Sequence, residues 1–245
     1  MKFDNHDIDV VWLDLDDTVI DFLTNSRRAL ERLWHEEPLL TRLFPSPEEW
    51  TEVYERHNHA LWDAYSRGKV TREKLRMERF RLPLAEGGAS DEEASEAAVR
   101  YDTYYLDLLA EERELIPGSL ELLQFLRSSG VKIGCLSNGF KDVQFRKIRN
   151  CGLEPWFDIV VLSDDIGFTK PDVRLFEYAM RKSGYPSPSA HLMIGDNAST
   201  DIAGAISAGW EAIQFLRSPD SPRASGCRWQ FNSMSAIAEL LGCRR

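Results

Sequence analysis

Five apolar runs of strand length punctuate this chain, at 8–13, 131–137, 157–162, 191–196 and 212–216. Between the last four lie stretches with helical spacing, at 141–150, 173–183 and 200–208, and another at 119–128 precedes the second run. Strand, helix, strand in repeated order demands a parallel sheet, because a parallel strand can be reached only by a crossover, and the crossovers cover both faces. Gly130, Gly152, Gly184 and Gly209 each close a helical stretch, as glycines past a helix C-terminus do. The expected fold class is therefore α/β, a Rossmann-like parallel sheet.

One region breaks the alternation. Residues 20–114 contain no convincing strand and read as helices over 24–36, 47–66, 71–81 and 91–109, with Gly87-Gly88-Ala89-Ser90 as an internal break. This implies a helical domain at 20–114 inserted into a core formed by 1–19 and 115–245. Hinges fall near 20–23 and 112–118, where Pro117-Gly118 signals a turn. The proline-rich stretch 218–226 reads as a mobile surface connection.

The chain carries 40 acidic against 30 basic residues, a formal net charge of −10. That balance disfavours nucleic acid and anionic membrane surfaces as partners. No apolar stretch approaches the roughly 20 residues of a membrane span, and residues 1–9 lack the pattern of a signal peptide. Four cysteines without CxxC spacing and five histidines without an HExxH pattern argue against zinc and fit a reducing cytoplasm. Cys135 reads as a small buried hydrophobe.

Ligands of open parallel sheets bind beyond the carboxyl ends of the strands, so the residues following each run carry the functional information. After the first run stands Asp14-Leu15-Asp16-Asp17-Thr18. Unpaired buried charge is costly, so these acids call for a cation, a proton or a strong hydrogen-bond network. After the second run, Ser137-Asn138-Gly139 offers a hydroxyl and backbone amides that a glycine turn can aim at an anion. After the third, Pro171 holds Lys170 extended, a cation on a stiff support. After the fourth, Asp196 ends the strand and Asp201 lies in the first turn of a helix of small residues.

Together these four segments resemble the motifs of the haloacid dehalogenase superfamily, and the insertion resembles its first type of helical cap. The resemblance implies Asp14 as nucleophile, Asp16 as general acid and base, and Lys170 as a charge-offsetting catalytic cation. It implies phosphate binding by Ser137, the amides of Asn138 and Gly139, and Lys170, with Thr18 orienting the Asp16 loop beside the substrate. Mg²⁺ is the implied cofactor, held by Asp14, the Asp16 carbonyl and Asp196, with Asp201 acting through water or from behind the ligands. Dehalogenases of the family lack an acid two residues after the nucleophile; Asp16 therefore points to phosphate ester hydrolysis.

Residues 58–68 (NHALWDAYSRG), 137–140 (SNGF) and 195–201 (GDNASTD) further resemble the noncanonical pyrimidine 5′-nucleotidase branch. That implies a small phosphorylated metabolite as partner, a nucleoside monophosphate, on a monomer or homodimer. A sugar-phosphate phosphatase or mutase, and a catalytically silent binding protein on the same fold, are the alternatives. Within the insertion, Trp50, Tyr54, His57, Leu61 and Tyr65 fall near one helical face and read as its core. Trp62 lies off that stripe as a candidate for a base or sugar, and Arg72, Arg76 and Arg79 read as a solvated face.

Overall fold

The structure is a computed structural model and describes residues 1–243. A two-stranded hairpin, β1 (Lys2–Phe3) and β2 (His6–Asp7), opens the chain. β3 (Val10–Leu13) leads into five helices: α1 (Phe22–Glu36), α2 (Pro38–Leu43), α3 (Pro47–Ser66), α4 (Arg72–Glu86) and α5 (Asp91–Glu111). The alternating part then runs α6 (Ser119–Ser128), β4 (Lys132–Ser137), α7 (Lys141–Asn150), β5 (Ile159–Leu162), α8 (Val173–Ser183), β6 (His191–Gly195), α9 (Ala203–Ser207), β7 (Glu211–Phe215), β8 (Trp229–Phe231) and α10 (Met234–Leu240).

Six strands form one parallel sheet in the order β5-β4-β3-β6-β7-β8. β3 is central, with Val10 opposite Lys132 on one side and His191 on the other. The chain builds outward from β3 first through β4 and β5, then through β6, β7 and β8. The order therefore reverses beside β3, and the carboxyl ends of β3, β4 and β6 converge at the switch point.

The strands bury both faces in strict alternation. Val11, Leu13, Ile133, Cys135, Leu192 and Ile194 pack against Leu122 and Leu126 of α6, Ile148 of α7 and Ile237 of α10. Val10, Trp12, Leu136 and Met193 pack against Leu175, Phe176 and Ala179 of α8 and Ala205 of α9. A period of two with both faces apolar is what a sheet sandwiched by helices requires. Trp12 lies directly over Gly134 of the neighbouring strand, where a Cβ would come within 2.2 Å of the indole. Its Nε1 donates to His191 Nδ1 at 2.9 Å.

The chain divides into two compact units: Met1–Phe22 with the residues from Glu114 onward, and Leu23–Arg113. Within the second unit, Ser46, Thr71 and Ser90 cap α3, α4 and α5, and Ser90 forms a reciprocal capping box with Glu93. Trp50, Tyr54, Phe80, Tyr101 and Tyr105 form its aromatic core, with Leu61 also buried. His57 instead faces Glu86 at 2.8 Å, and Trp62 meets Tyr65 edge-on at 5.6 Å.

Four expectations need correction. Arg79 is not on a solvated face: it is buried beside Phe80 and Tyr105 and donates to Asp102, which also accepts from Arg76. Asp102 belongs to α5, and only the packing of α4 on α5 brings it there. α4 runs past residue 81 to Glu86, with Pro83 inside it. Residues 200–208 form no single helix; a π-helical turn, Ala198–Ile202, precedes α9. The stretch 218–226 is tied down: Gln214 Nε2 donates to the Pro222 carbonyl at 2.7 Å, and its Oε1 accepts from the Ala224 amide at 2.8 Å.

Candidate active site

Asp14 follows the last residue of β3, and its amide donates to the Ile194 carbonyl of β6 at 3.0 Å. Its carboxylate meets the most confined cation of the core. Lys170 is 2% exposed, and its Nζ lies 2.6 Å from Asp14 Oδ1, 2.6 Å from Asp201 Oδ1 and 2.7 Å from the Leu136 carbonyl, to which it donates. Burial opposes the lysine's charge, yet Asp14 and Asp201 outweigh it and push its pKa up. The support expected from Pro171 is reinforced by Asn138. Its Oδ1 accepts from the Lys170 amide at 2.7 Å and its Nδ2 donates to the Lys170 carbonyl at 3.0 Å.

Asp14, Asp196 and Asp201 each bring a carboxylate oxygen to within 4.8 Å of the others. Burial pushes the Asp14 carboxyl up to about 7, against the opposing charge of Lys170 and with the help of Asp201. Burial, then Asp201 and Asp14, hold Asp196 well above the usual carboxylate range. Two buried acids and a half-buried third against one lysine leave the cluster short of positive charge. Hard oxygen donors in that state fit a divalent cation such as Mg²⁺. Asp201 stands close to the other two acids, and its Oδ1 is also paired with Lys170. It is 1% exposed, and Lys170 and the Asn197 amide hold its carboxylate. Its close approach needs Gly195, where a Cβ would lie 2.4 Å from the Asp201 carboxylate.

The remaining expected residues are placed as follows. The Thr18 hydroxyl donates to Asp196 Oδ1 at 3.3 Å and accepts from the Asp196 amide at 3.0 Å. Fully buried, Thr18 braces Asp196 at both its backbone and its side chain. The Gly139 amide donates to Ser137 Oγ at 3.2 Å rather than pointing out toward an anion. Glycine is needed there for space: a Cβ would lie 2.3 Å from the Gln144 side chain. The Asp16 carboxylate is held from α7. Lys147 Nζ donates to its two oxygens at 2.7 and 2.9 Å, and Gln144 Nε2 donates to one of them at 3.0 Å.

Gln144 and Lys147 were not among the residues expected from the sequence. On α7 the polar Gln144 and Lys147 are buried beside Ile148 while Phe145 is 40% exposed, a distribution that helical spacing alone does not reveal. Another tie lies beyond β7, where Arg217 donates to both Asp17 and Asp21. Asp17 itself has a φ of 60°, the left-handed conformation that bends the loop after Asp16.

The description "haloacid dehalogenase-like hydrolase" belongs to the family model that matches residues 8–209. The chain belongs to this family. It is 29% identical over 234 residues to Pyrimidine 5′-nucleotidase YjjG of Escherichia coli, covering 95% of this chain and 97% of that protein. It is 32% identical to Phosphoserine phosphatase of Thermus thermophilus, covering 87% and 91%. The magnesium-bound crystal structure of the HAD-hydrolase YfnB of Bacillus subtilis superimposes with a TM-score of 0.84 at 25% identity, covering 97% of this chain and 100% of that one. The chain is thus an enzyme with a helical cap and a hydrolase active site of the phosphatase kind, built around a cluster of aspartates suited to a divalent metal.

Proposed function

We propose that this enzyme hydrolyses nucleoside 5′-monophosphates, with Asp14 as nucleophile and Asp16 as proton carrier. The observation that carries the phosphatase chemistry is an acid, Asp16, two residues beyond the buried aspartate that Lys170 contacts. A halide leaves without a proton, whereas an alkoxide needs one.

Asp14, Asp196 and Asp201, with the Asp16 carbonyl, would hold Mg²⁺. When bound, the ion supplies the positive charge that lets an anionic ester approach a carboxylate. Asp14 attacks phosphorus, the bond to the ester oxygen breaks, and Asp16 gives that oxygen its proton. Asp16 then takes a proton from water as the water oxygen attacks the aspartyl-phosphate, and the bond from Asp14 to phosphorus breaks. Ser137 donates to a phosphate oxygen, and Lys170 offsets charge on Asp14 throughout.

The nucleotide reading rests on the near full-length similarity to the nucleotidase of Escherichia coli and on residues 58–68, 137–140 and 195–201. The similarity to a phosphoserine phosphatase favours a second reading, a phosphatase of another small monoester. Phosphate release from nucleoside monophosphates, sugar phosphates and phosphoserine, with and without Mg²⁺, separates them. Metal-dependent release led by pyrimidine monophosphates supports the proposal. Release led by phosphoserine or sugar phosphates refutes the nucleotide reading and keeps the chemistry.

A further inference from the structure

Two buried polar side chains of α7 have no part in the chemistry so far. Gln144 is fully buried and Lys147 is 7% exposed. Burying an amide and an ammonium three residues apart on one helix face, with Phe145 left at the surface, is unfavourable unless both are fully used. Lys147 lies against the Phe22 ring, 4.4 Å from its centroid, and engages both Asp16 oxygens.

Gln144 has a more restrictive geometry. Its Nε2 donates at once to Ser137 Oγ, at 2.7 Å, and to Asp16 Oδ2, at 3.0 Å. As placed, Nε2 makes both contacts and the buried Oε1 has no hydrogen-bond partner among the described residues; turned over, Oε1 would face the ionised Asp16 carboxylate. Ser137 Oγ accepts from Gln144 and from the Gly139 amide, which occupies both of its lone pairs. Its own proton is therefore left to be donated outward. One amide thus fixes the direction of the Ser137 hydroxyl and one oxygen of Asp16, and Gly139 is bare to make room for it.

We propose that Gln144 and Lys147 are positioning residues for phosphate ester hydrolysis. Gln144 leaves the Ser137 proton to be donated to the phosphoryl group, and the pair fixes where the Asp16 side chain sits, from which, once it carries a proton, it serves the leaving oxygen. The proposal rests on the phosphatase reading above, and neither residue touches the substrate.

The test uses leaving-group dependence. An alkyl phosphate, such as a nucleoside monophosphate, needs a proton on its leaving oxygen; p-nitrophenyl phosphate expels a weakly basic phenolate and does not. General acid catalysis is worth roughly 10²–10⁴-fold. Lys147→Met should therefore lower kcat on the alkyl ester by about 10-fold or more beyond any loss on the aryl ester, and Lys147→Arg should restore part of that difference. Gln144→Met should in addition weaken inhibition by inorganic phosphate by about 10-fold, a loss Lys147→Met does not share. Urea midpoints monitor folding of each variant. Equal losses on both esters would reduce the pair to a structural role and overturn the proposal, as would unchanged kinetics. A folded wild-type enzyme inert toward every ester with Mg²⁺ would overturn the phosphatase reading and this inference with it.

Discussion

Replacing Lys170 with methionine should destabilise the α/β unit by about 3–5 kcal/mol, the usual cost of removing one partner of a buried ion pair. The contacts behind that figure are the two carboxylate oxygens at 2.6 Å and the Leu136 carbonyl at 2.7 Å, around a side chain 2% exposed. Methionine matches the length of the lysine stem, so the loss is of charge and hydrogen bonds rather than of volume. The stranded acids can recover part of the loss by taking up protons. A carboxyl raised above its unfolded value binds more protons in the folded state than in the unfolded one, so its contribution to stability falls as pH rises. Asp14 already stands at about 7 with Lys170 present, and removing the lysine raises it further. The deficit should therefore be smaller at pH 6 than at pH 8. At roughly 2–4 °C per kcal/mol for a chain of this size, the melting temperature should drop by about 6–20 °C. The assay is urea unfolding by circular dichroism in chelator, at both pH values, with hydrogen exchange at the β3 amides reporting the α/β unit separately. A loss below about 1 kcal/mol, or a deficit larger at pH 6, would refute the claim that Lys170 offsets the charge of Asp14 and Asp201.

Asp14→Asn and Asp16→Asn should each lower kcat by more than about 10³-fold while circular dichroism stays native; retained turnover in either would remove its role. Gly134→Ala pushes a methyl to within 2.2 Å of the Trp12 ring, and thermal unfolding should show a loss of about 1–3 kcal/mol. His191, held below its ordinary pKa by burial, accepts from Trp12 in its neutral form. Its contribution to stability should be complete above pH about 6.5 and fall as pH drops below it; His191→Gln should flatten that part of a urea-midpoint profile between pH 7 and 5. Arg79→Met leaves Asp102 half-paired inside the helical unit, which should cost about 3–5 kcal/mol by denaturant titration; a neutral result would return Arg79 to the surface role read from its sequence.

The elements whose signal is local were legible in the chain itself. α6, α7 and α8 span the residues that helical spacing predicts, and the glycines after them take positive φ, as at Gly184 with 82°. The sheet strands before the acids, before Ser137 and before Asp196 were legible because a strand buried on both faces must be an apolar run. The short elements were not. β8 has three residues and α2 has six, too few for a period to show, and both are held by packing.

The acids, Ser137 and Lys170 could be named from the sequence because each stands at a strand end or in the segment that follows it, and a parallel sheet brings such ends together. What each side chain does there was decided by contacts between residues far apart in the chain. Thr18 and Asp196 are 178 residues apart, and Lys147 and Asp16 are 131 apart. No local pattern encodes such a meeting; it depends on strand order and on which face of α7 turns inward. The sequence by itself determined the sheet, the inserted helices and the set of charged groups. The tertiary structure decided that Asp201 joins Asp14 and Asp196, that Thr18 braces Asp196, and that Gln144 and Lys147 take hold of Asp16. Buried charges must find partners, and the fold alone determines which partners are within reach.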